Sequence, residues 1–527
     1  MKNNAADAAR TEQAFDLLDL RNYSLERFPD IKAGVWMARL KLVGVPLAVL
    51  AFLFFHLQLS GPIEVFALQT KVKPALCYSA LGIFVASLLL WLTEAIPNYL
   101  TSLLVVVVVV LTGTLTMRQA FAMMGEPVMI LNIASFIMAS ALVATGLAKR
   151  LSLFLVLRMG HHLSLLFWSF ILLNLLLGAF ISATSAKTAL LLPLFMVISA
   201  IYGATGGEQR NNVGRNMVLQ NLLANNVSAS AFVTGSAANL LAAQMLERAG
   251  AKVFYSDWFL ALFPLAVIQC AIAWWTGTKL IFPVSPEEAT PKIEGGMGHL
   301  QEELARLGPI SAGEIRAGLV FVIVLLLWST DRLHGIRAEV VALAGACAVL
   351  MPSFSGLPRL GVMKWNDADI PWHMLIFSWG AYVLGEMVDK TDIVGLWVHG
   401  MFDAWNITTA TPKLLIFVIL SGFFGITTLI SESKTARTII LFPIIITIAK
   451  KFEWDLLGFC LPMCFMINQV YVLYFNSKPA NISYLTNHYS TWESFKFGFA
   501  QLTIIWLLLI PWAQYVMPLM GYKSALW

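Results

Sequence analysis

Charged residues are scarce in this chain, and their scarcity argues against an ordinary soluble protein. Only 12% of the 527 residues are Asp, Glu, Lys or Arg, whereas 58% are hydrophobic. Globular domains carry about 25% charged residues. The composition therefore indicates a polytopic membrane protein, in which apolar segments cross a bilayer.

Metal-binding, catalytic and nucleic-acid-binding motifs are also missing. The five cysteines lie in or beside apolar segments, and none has the spacing of a zinc site or a CxxC pair. No HExxH, GxSxG or Walker loop points to an enzyme. The net charge of +5 is modest, and no basic patch with interleaved aromatic residues is present. We expect no metal, no cofactor and no nucleic-acid partner.

The beginning of the chain has little apolar character. It contains no short apolar core followed by a small-residue cleavage site, so we expect no cleaved signal peptide. Residues 1–40 are interpreted as a cytoplasmic N-terminal tail and residues 41–60 as the first transmembrane helix.

Long apolar segments fill most of the remaining chain. A spanning helix needs about 20 apolar residues. The candidates lie near 41–59, 77–95, 99–116, 128–147, 256–282, 316–334, 338–352, 371–388 and 499–520. Four further stretches are apolar but broken in the middle by small and polar residues: 163–202, 216–248, 411–449 and 456–486. Irregular backbone at membrane depth needs protein or a water-filled cavity around it, so each stretch is expected to form two half-crossings.

The sequences at these breaks form two pairs. ATSAKTALLLP at 183–193 matches SKTARTIILFP at 433–443, and TGSAANL at 234–240 matches NSKPANI at 476–482. The offsets are similar: 250 residues from Lys187 to Arg437, 242 from Asn239 to Asn481, and 237 from Trp91 to Trp328. We infer an internal repeat with units at 77–283 and 316–520, joined by a polar cytoplasmic linker at 284–315.

Lysine and arginine predict the orientation. Basic residues cluster in the N-terminal tail, within 149–158, and at Arg210 and Arg215. If these are cytoplasmic, the hairpin at 163–202 enters from the inside and the hairpin at 411–449 from the outside. We therefore expect two inverted repeats with about 11 transmembrane helices and two re-entrant hairpins, an all-α layout found in many secondary transporters. Each hairpin tip should be reached from its own side.

Four cations lie at the breaks. They are Lys187, Lys434, Arg437 and Lys478. A charge at bilayer depth costs about 3 kcal/mol on insertion scales, so it normally faces a cavity or a partner. Glu432 is the nearest acid in sequence and a possible charge partner, which leaves an excess of three positive charges. This excess favours a multivalent anion as the ligand.

The cations and the small residues at the breaks also have two structural explanations. Some of the four cations could pair with distant acids such as Glu94, Glu386 or Asp389. The small residues at the breaks could serve helix packing. Breaks in paired positions nevertheless favour an ion or substrate site, because half-helix N-termini can face an anion while unwound carbonyls hold a cation. Ser, Thr, Asn and Gly suit such a site.

Several segments resemble the divalent anion/sodium symporter (DASS) family, which includes dicarboxylate, citrate and sulfate carriers. They are LWLTEAIP at 90–97, HGIRAEVVAL at 334–343 and WHMLIFSWGAYVLGEMVDKTDIVGLW at 372–397. In addition, TGSAANL at 234–240 is similar to the family's Thr-Gly-Thr-x-Pro-Asn loop. The resemblance covers about 77–520.

The resemblance implies an elevator transporter, commonly a homodimer in lipid. In this mechanism a transport domain that holds the hairpins and broken helices slides against a scaffold domain. In the family, two Ser-Asn-Thr motifs at the hairpin tips bind the substrate's carboxylates. Together with the two loops, these motifs also form two sodium sites.

This chain departs from the family's motifs. The tips read Ala183-Thr184-Ser185 and Ser433-Lys434-Thr435, so both Asn residues are lost. The Thr two residues beyond each motif has become Lys187 or Arg437, and Lys478 replaces a Thr in the second loop. The candidate substrate-binding residues are Thr184, Ser185, Lys187, Ser433, Lys434, Thr435, Arg437 and Lys478. The candidate loop and ion-site residues are Thr234, Gly235, Ser236, Asn239, Asn476, Ser477 and Asn481. Sodium coupling is therefore in doubt.

The sequence thus predicts a secondary active transporter of a small multivalent anion: a di- or tricarboxylate, sulfate or a sulfonate. Fixed cations would hinder the return of an empty site across the bilayer, which favours sodium-independent anion exchange. The alternatives are sodium- or proton-coupled symport, with Glu432 as the proton carrier, an anion channel, and a membrane-embedded enzyme. We expect a multi-pass protein of a bacterial inner membrane with a cytoplasmic N-terminus.

Overall fold

The computed structural model describes residues 17–23, 35–61, 63, 72–293, 295–352, 361–404, 408, 410–429, 431 and 433–527. Most of the predicted N-terminal tail lies outside these residues, and so does Glu432.

Every regular element in the described residues is helical, apart from an isolated bridge between Gly206 and Gln209. Helices of eight or more residues are numbered in chain order. The first ten are α1 (Val35–His56), α2 (Pro74–Thr93), α3 (Asn98–Leu111), α4 (Pro127–Ala144), α5 (Leu147–Met159), α6 (Leu163–Gly178), α7 (Thr184–Ile201), α8 (Asn212–Ala231), α9 (Ala237–Arg248) and α10 (Tyr255–Thr276). The others are α11 (Gly296–Arg306), α12 (Ala312–Ser329), α13 (Ala338–Leu350), α14 (Trp372–Thr391), α15 (Ile393–Ala404), α16 (Lys413–Ile426), α17 (Lys434–Lys451), α18 (Leu456–Cys464), α19 (Lys478–Leu485) and α20 (Thr491–Pro511).

The expected all-helical fold is confirmed, with six apolar helices long enough to cross a membrane. These are Pro74–Thr93, Met117–Ala144, Thr184–Ile201, Tyr255–Ile281, Ala312–Ser329 and Thr491–Leu519. Shorter apolar helices, including α3, α6 and α16, lie between them. The count of 11 spanning helices remains a prediction.

The helices follow the same order twice, α2 to α10 and then α12 to α20. Equivalent helices start 236 residues apart at α10 and α20, and 250 apart at α7 and α17. Both series end in a π-helical turn, at Gly277–Ile281 and at Trp512–Val516. Helices α6 and α7 occupy the segment predicted as the first hairpin, and α16 and α17 occupy the second. The inverted orientation and the repeat boundaries remain predictions.

The broken helices resume at serine caps. The Ser236 hydroxyl accepts from the Asn239 N–H at 3.3 Å and caps α9. The Ser477 hydroxyl accepts from the Ala480 N–H at 3.3 Å and caps α19. The caps are 241 residues apart, one fewer than the sequence pairing assumed. Ala480, rather than Asn481, therefore stands at the position equivalent to Asn239.

The helices pack in two groups. Group A contains α1–α4 and α12–α14, and group B contains α6–α10 and α16–α20, with both hairpins and both broken helices. Within group A, α2 packs on α1, α14 on α3, and α13 on α4. Within group B, α8 packs on α6, α7 and α10, and α9 packs on α17. Helices α5, α11 and α15 connect the groups along the chain.

Asn239 joins the two broken helices of group B. Its amide nitrogen donates to the carbonyl of Ala229 at 2.7 Å and that of Phe232 at 2.8 Å. Its amide oxygen accepts from the Asn468 amide at 2.8 Å. Group B is therefore held together at the very points where its helices stop.

We expect Asn239→Ala to lower the thermal midpoint of the detergent-solubilised protein. The change removes the donor to the buried Ala229 carbonyl and the acceptor of the buried Asn468 amide, and each unsatisfied group costs about 1–3 kcal/mol. Asn481→Ala is the matched control, because Asn481 is half-buried and lies outside the equivalent position. Equal losses of midpoint in the two variants, measured by thermal-shift fluorescence, would contradict this role for Asn239.

Candidate functional site

A cavity of about 1100 Å³ lies between group A and group B. Group B contributes both hairpin tips and both loops, at residues 181–186, 236–238, 433–435 and 477–479. Group A contributes Lys41, residues 94–99, one side of α4, and residues around 367–377. The four chain breaks predicted from the sequence thus meet at one place.

Four helix N-termini converge on this cavity. Helices α7, α9, α17 and α19 begin at Thr184, Ala237, Lys434 and Lys478, and all four of these residues line it. The first-turn N–H groups of a helix lack intrahelical partners, and the helix dipole makes that end positive. The cavity is therefore electrostatically suited to an anion.

Lys434 connects the two hairpin tips across the cavity wall. Its ammonium donates to the Thr184 hydroxyl at 3.4 Å and to the amide oxygen of Asn226 at 3.2 Å. Lys434 is half-buried, whereas Lys478 is exposed to the cavity. Asn226 is fully buried on α8, and nothing in its helical sequence context had indicated a role.

Lys187 lies behind the first hairpin rather than in the cavity lining. It is fully buried, and its ammonium donates to the Asn225 carbonyl at 3.1 Å and to the Ser228 hydroxyl at 2.8 Å. The Asn225 amide in turn donates to the Thr184 carbonyl at 2.8 Å and to the Thr188 hydroxyl at 2.6 Å. The expected contact between Lys187 and the anion is absent from this geometry, because the side chain turns toward α8.

Arg437 likewise faces away from the cavity. It is 2% exposed, and its guanidinium donates to the Phe424 carbonyl at 2.8 Å, the Thr427 hydroxyl at 3.1 Å and the Met466 carbonyl at 3.4 Å. These groups belong to the end of α16 and to the turn after α18, so Arg437 binds backbone where two helices stop. Glu432 lies outside the described residues, and its pairing with Arg437 stays a prediction.

The two loops are tied to the two hairpins in the same way. The Thr234 hydroxyl donates to the Ala179 carbonyl at 3.0 Å, next to the end of α6. The Asn476 amide donates to the Thr428 carbonyl at 2.5 Å, next to the end of α16. A side chain at Gly235 would meet the Ala229 carbonyl at 2.3 Å, so the first loop needs glycine there.

The predicted site residues therefore divide into two sets. The residues lining the cavity are Thr184, Ser185, Ser236, Ser433, Lys434, Thr435, Ser477 and Lys478. The residues outside the lining are Lys187, Thr234, Gly235, Asn239, Arg437, Asn476 and Asn481. Most of the second set fixes the breaks in place, and the first set surrounds the space where a ligand would fit.

The distant acids considered as partners are engaged elsewhere. Glu94 pairs with Lys41 at 4.0 Å, and Glu386 and Asp389 pair with Arg248 at 2.9 and 3.8 Å. Among the described residues, no ion pair involves any of the four cations at the breaks. Three acidic residues also line the cavity, Glu94, Asp367 and Asp369, on the wall that group A contributes.

The two hairpin tips meet at one cavity. Thr184 of the first tip and Thr435 of the second both line it. Access to the tips depends on which end of the cavity group A leaves open. The side of the membrane from which each tip is reached stays a prediction.

The fold and the comparisons define an integral membrane transporter, not an enzyme. The chain belongs to the family described as the sodium:sulfate symporter transmembrane region, which matches residues 63–521. The resemblance to DASS carriers is thereby confirmed.

Three relatives are about one quarter identical to this chain over the aligned residues. A membrane protein of Cupriavidus necator is 25% identical over 424 residues, 76% of this chain and 79% of that protein. The sodium-dependent dicarboxylate transporter SdcS of Staphylococcus aureus is 23% identical over 461 residues, 83% of this chain and 86% of SdcS. The putative malate transporter YflS of Bacillus subtilis is 23% identical over 327 residues, 61% and 66% of the two chains.

A solved structure has a related fold. The YdaH transporter of Alcanivorax borkumensis aligns with a TM-score of 0.52 at 12% identity, over 93% of this chain and 99% of that chain. At this identity the similarity concerns the fold alone, and it agrees with an all-helical transporter.

We expect Lys187→Met and Arg437→Ala to reduce membrane yield and thermal midpoint while leaving anion affinity within about threefold in the protein that folds. Each change strands buried hydrogen-bonding groups at about 1–3 kcal/mol per group, but neither side chain lines the cavity. Lys478→Ala is the control, and it should give the opposite result: normal stability and weaker binding in a radiolabelled-dicarboxylate assay. If the folded fraction of Lys187→Met or Arg437→Ala instead lost affinity strongly, those residues would belong to the ligand site.

Proposed function

We propose that this chain is a secondary carrier of a small multivalent anion, most suitably a di- or tricarboxylate, with sulfate or a sulfonate as further candidates. The observation that carries the proposal is the convergence of four helix N-termini, Lys434 and Lys478 on one cavity. The names of two relatives, a sodium-dependent dicarboxylate transporter and a putative malate transporter, support a carboxylate substrate.

The cavity offers separate groups for two carboxylates. In the first tip, the Thr184 and Ser185 hydroxyls and the start of α7 can donate hydrogen bonds. In the second tip, Ser433, Thr435 and the start of α17 can do the same. Lys434 lies between the tips, where its charge would act on both carboxylates, and charge-assisted bonds of this kind are stronger than neutral ones.

Transport by an elevator fits the position of the cavity. Group B holds all four breaks, and group A supplies the opposite wall, so sliding of B along A would carry the site as a unit. With the basic tail and residues 149–158 on the cytoplasmic side, the wall around Lys41 and Glu94 also lies on that side. The conformation described here would then be open to the cytoplasm. A homodimer in a bacterial inner membrane belongs to the same proposal.

Sodium-independent exchange follows from the fixed cations. The Lys187 ammonium occupies a place between the Asn225 carbonyl and the Ser228 hydroxyl. The Lys434 ammonium occupies a place between Thr184 and Asn226 oxygens. Such oxygens are typical ligands of a hard cation, so tethered ammonium groups can substitute for a bound metal ion there. An empty site then carries net positive charge, which is costly to move through the bilayer.

Sodium-coupled symport is the second candidate. It is favoured by the name of the family and by the sodium dependence in the name of the Staphylococcus aureus relative. Proton-coupled symport would assign the proton to Glu432. An anion channel is less suited to paired hairpins that close on one cavity, and its flux would be orders of magnitude faster than that of a carrier.

Replacing Lys434 should weaken anion binding. We expect Lys434→Gln to raise the dissociation constant for a dicarboxylate at least about tenfold, since a hydrogen bond to a charged group contributes about 1.5–3 kcal/mol. Lys450→Gln is the matched control, because it removes a lysine from the exposed far end of the same helix. Isothermal titration of the purified variants measures the effect. Unaltered transport in the double variant Lys434→Ala with Lys478→Ala would remove the basis of this site.

Uptake into proteoliposomes should require an internal counter-anion. The loaded site is closer to neutral than the empty one, and each ~1.4 kcal/mol of barrier difference changes the rate about tenfold. We therefore expect rapid uptake of labelled dicarboxylate into preloaded vesicles and little into empty ones. Replacing sodium with potassium or choline should have no effect. Accumulation in empty vesicles only under an inward sodium gradient would instead establish the second candidate.

A further inference from the structure

Three helices cross from the cavity to the opposite end of the interface between groups A and B. Helix α9 starts at the cavity with Ala237 and ends at Arg248, about 18 Å away at 1.5 Å per residue. Helix α14 contributes Met374 and Phe377 to the cavity and carries Glu386 about two to three turns further on. Helix α17 starts at the cavity and runs in the same way. Arg248 and Glu386 therefore lie at the far end of the same interface.

Arg248 of group B bridges two elements of group A at this far end. Its guanidinium contacts the Glu126 carboxylate at 3.0 Å and the Glu386 carboxylate at 2.9 Å. The Asp389 carboxylate lies 3.8 Å away. Glu126 precedes the first residue of α4, whereas Glu386 and Asp389 belong to α14. One side chain thus connects α9 to two helices across the interface.

The preceding residue pairs across the same interface with reversed signs. The carboxylate of Glu247 contacts the Arg337 guanidinium at 2.9 and 3.0 Å. Arg337 precedes the first residue of α13 in group A. Adjacent residues of α9 therefore carry opposite charges, and each meets its complement on group A. We refer to Glu247, Arg248, Glu126, Glu386 and Arg337 as the clasp.

Several other ion pairs of the described chain join residues that would move together, whereas the pair between Asp257 of α10 and Arg332, which lies between α12 and α13, also crosses from group B to group A. Arg215 of α8 contacts Glu493 of α20 at 2.6 Å, and both helices belong to group B. Arg150 of α5 contacts Glu314 of α12 at 2.5 Å, away from the moving group. A displacement of group B along group A leaves such pairs intact, whereas it separates the clasp residues by the full distance of the movement.

We propose that the clasp is a latch that holds the conformation in which the Lys434 cavity is open, and that it must open before group B can slide. This inference rests on the proposed elevator movement. Arg248, Glu126 and Glu386 are 20%, 24% and 28% exposed, so water can replace the partners when the pairs separate. Pairs of this kind contribute modestly to stability, which suits a contact that forms and breaks in every transport cycle.

The latch can be tested by the accessibility of the cavity in the absence of substrate. Ala186 is exposed at the first hairpin tip and lines the cavity. In a full-length chain whose native cysteines are replaced, Ala186→Cys is labelled with a membrane-impermeant maleimide from the side on which the parent protein reacts. We expect Arg248→Gln to slow this labelling about fivefold, because a broken network of partly exposed pairs shifts the conformational equilibrium by that order.

Two further variants serve as controls. Arg215→Gln breaks an ion pair of similar exposure within group B and should leave the labelling rate unchanged. Glu247→Arg should slow labelling through repulsion from Arg337. Adding Arg337→Glu with Glu339→Gln, which removes the second carboxylate beside position 337, should restore it, as expected for a directly interacting pair. Restoration would not occur if the first substitution had merely damaged the fold.

Unchanged labelling in both Arg248→Gln and Glu247→Arg would overturn the latch. The same outcome in Arg215→Gln as in Arg248→Gln would also overturn it, because the effect would then be one of general stability. The labelling result does not depend on the identity of the substrate, because no candidate substrate is present in the assay. If labelling slows in Arg248→Gln as expected but the protein takes up no dicarboxylate, the latch is supported and only the carboxylate substrate is rejected.

Discussion

The rest of the structure depends on how the chain satisfies broken backbone at membrane depth. Four helices stop where no water is freely available to bind their terminal N–H and C=O groups. Side chains take that role: Asn239 binds the carbonyls at the end of α8, and Arg437 binds those at the end of α16. Once the carbonyl ends are satisfied internally, the N–H ends of α7, α9, α17 and α19 are left for the cavity. The candidate binding site is therefore formed by the N-terminal helix ends that face the cavity.

The same constraint separates the cations by role. Lys187 and Arg437 are buried against carbonyl and hydroxyl oxygens, so their donors are largely used within the protein. Lys434 donates to Thr184 and Asn226 and also lines the cavity. Lys478 lies at the first residue of α19, where its charge adds to the positive end of the helix. The buried pair holds the breaks in place, and the pair that lines the cavity supplies the charge of the candidate site.

The sequence predicted where the two hairpin segments break, because hydroxyl-rich residues lie at the same distance before Pro193 and Pro443. It could not predict which way each cation points. Composition indicates that a residue lies at membrane depth, but the direction of its side chain depends on the neighbouring helix. Helix α8 supplies the hydrogen-bond partners of Lys187. Asn226 was missed because it lies within a regular helix. The one-residue difference between the two loops arose because the serine caps, rather than the aligned asparagines, fix where α9 and α19 begin.

Charge is arranged differently at the two ends of the interface, and the difference has a physical reason. At the cavity, Lys434 and Lys478 form no ion pair among the described residues, so their charge is available to a ligand. At the far end, Glu247 and Arg248 meet opposite charges on group A. A mobile group that bears uncompensated charge at one end needs the ligand to cross the bilayer, whereas paired charges at the other end cost only their mutual attraction when they separate. In the proposed elevator movement, substrate binding and release of the clasp are two independent conditions, and a carrier that needs both would move chiefly when it is loaded.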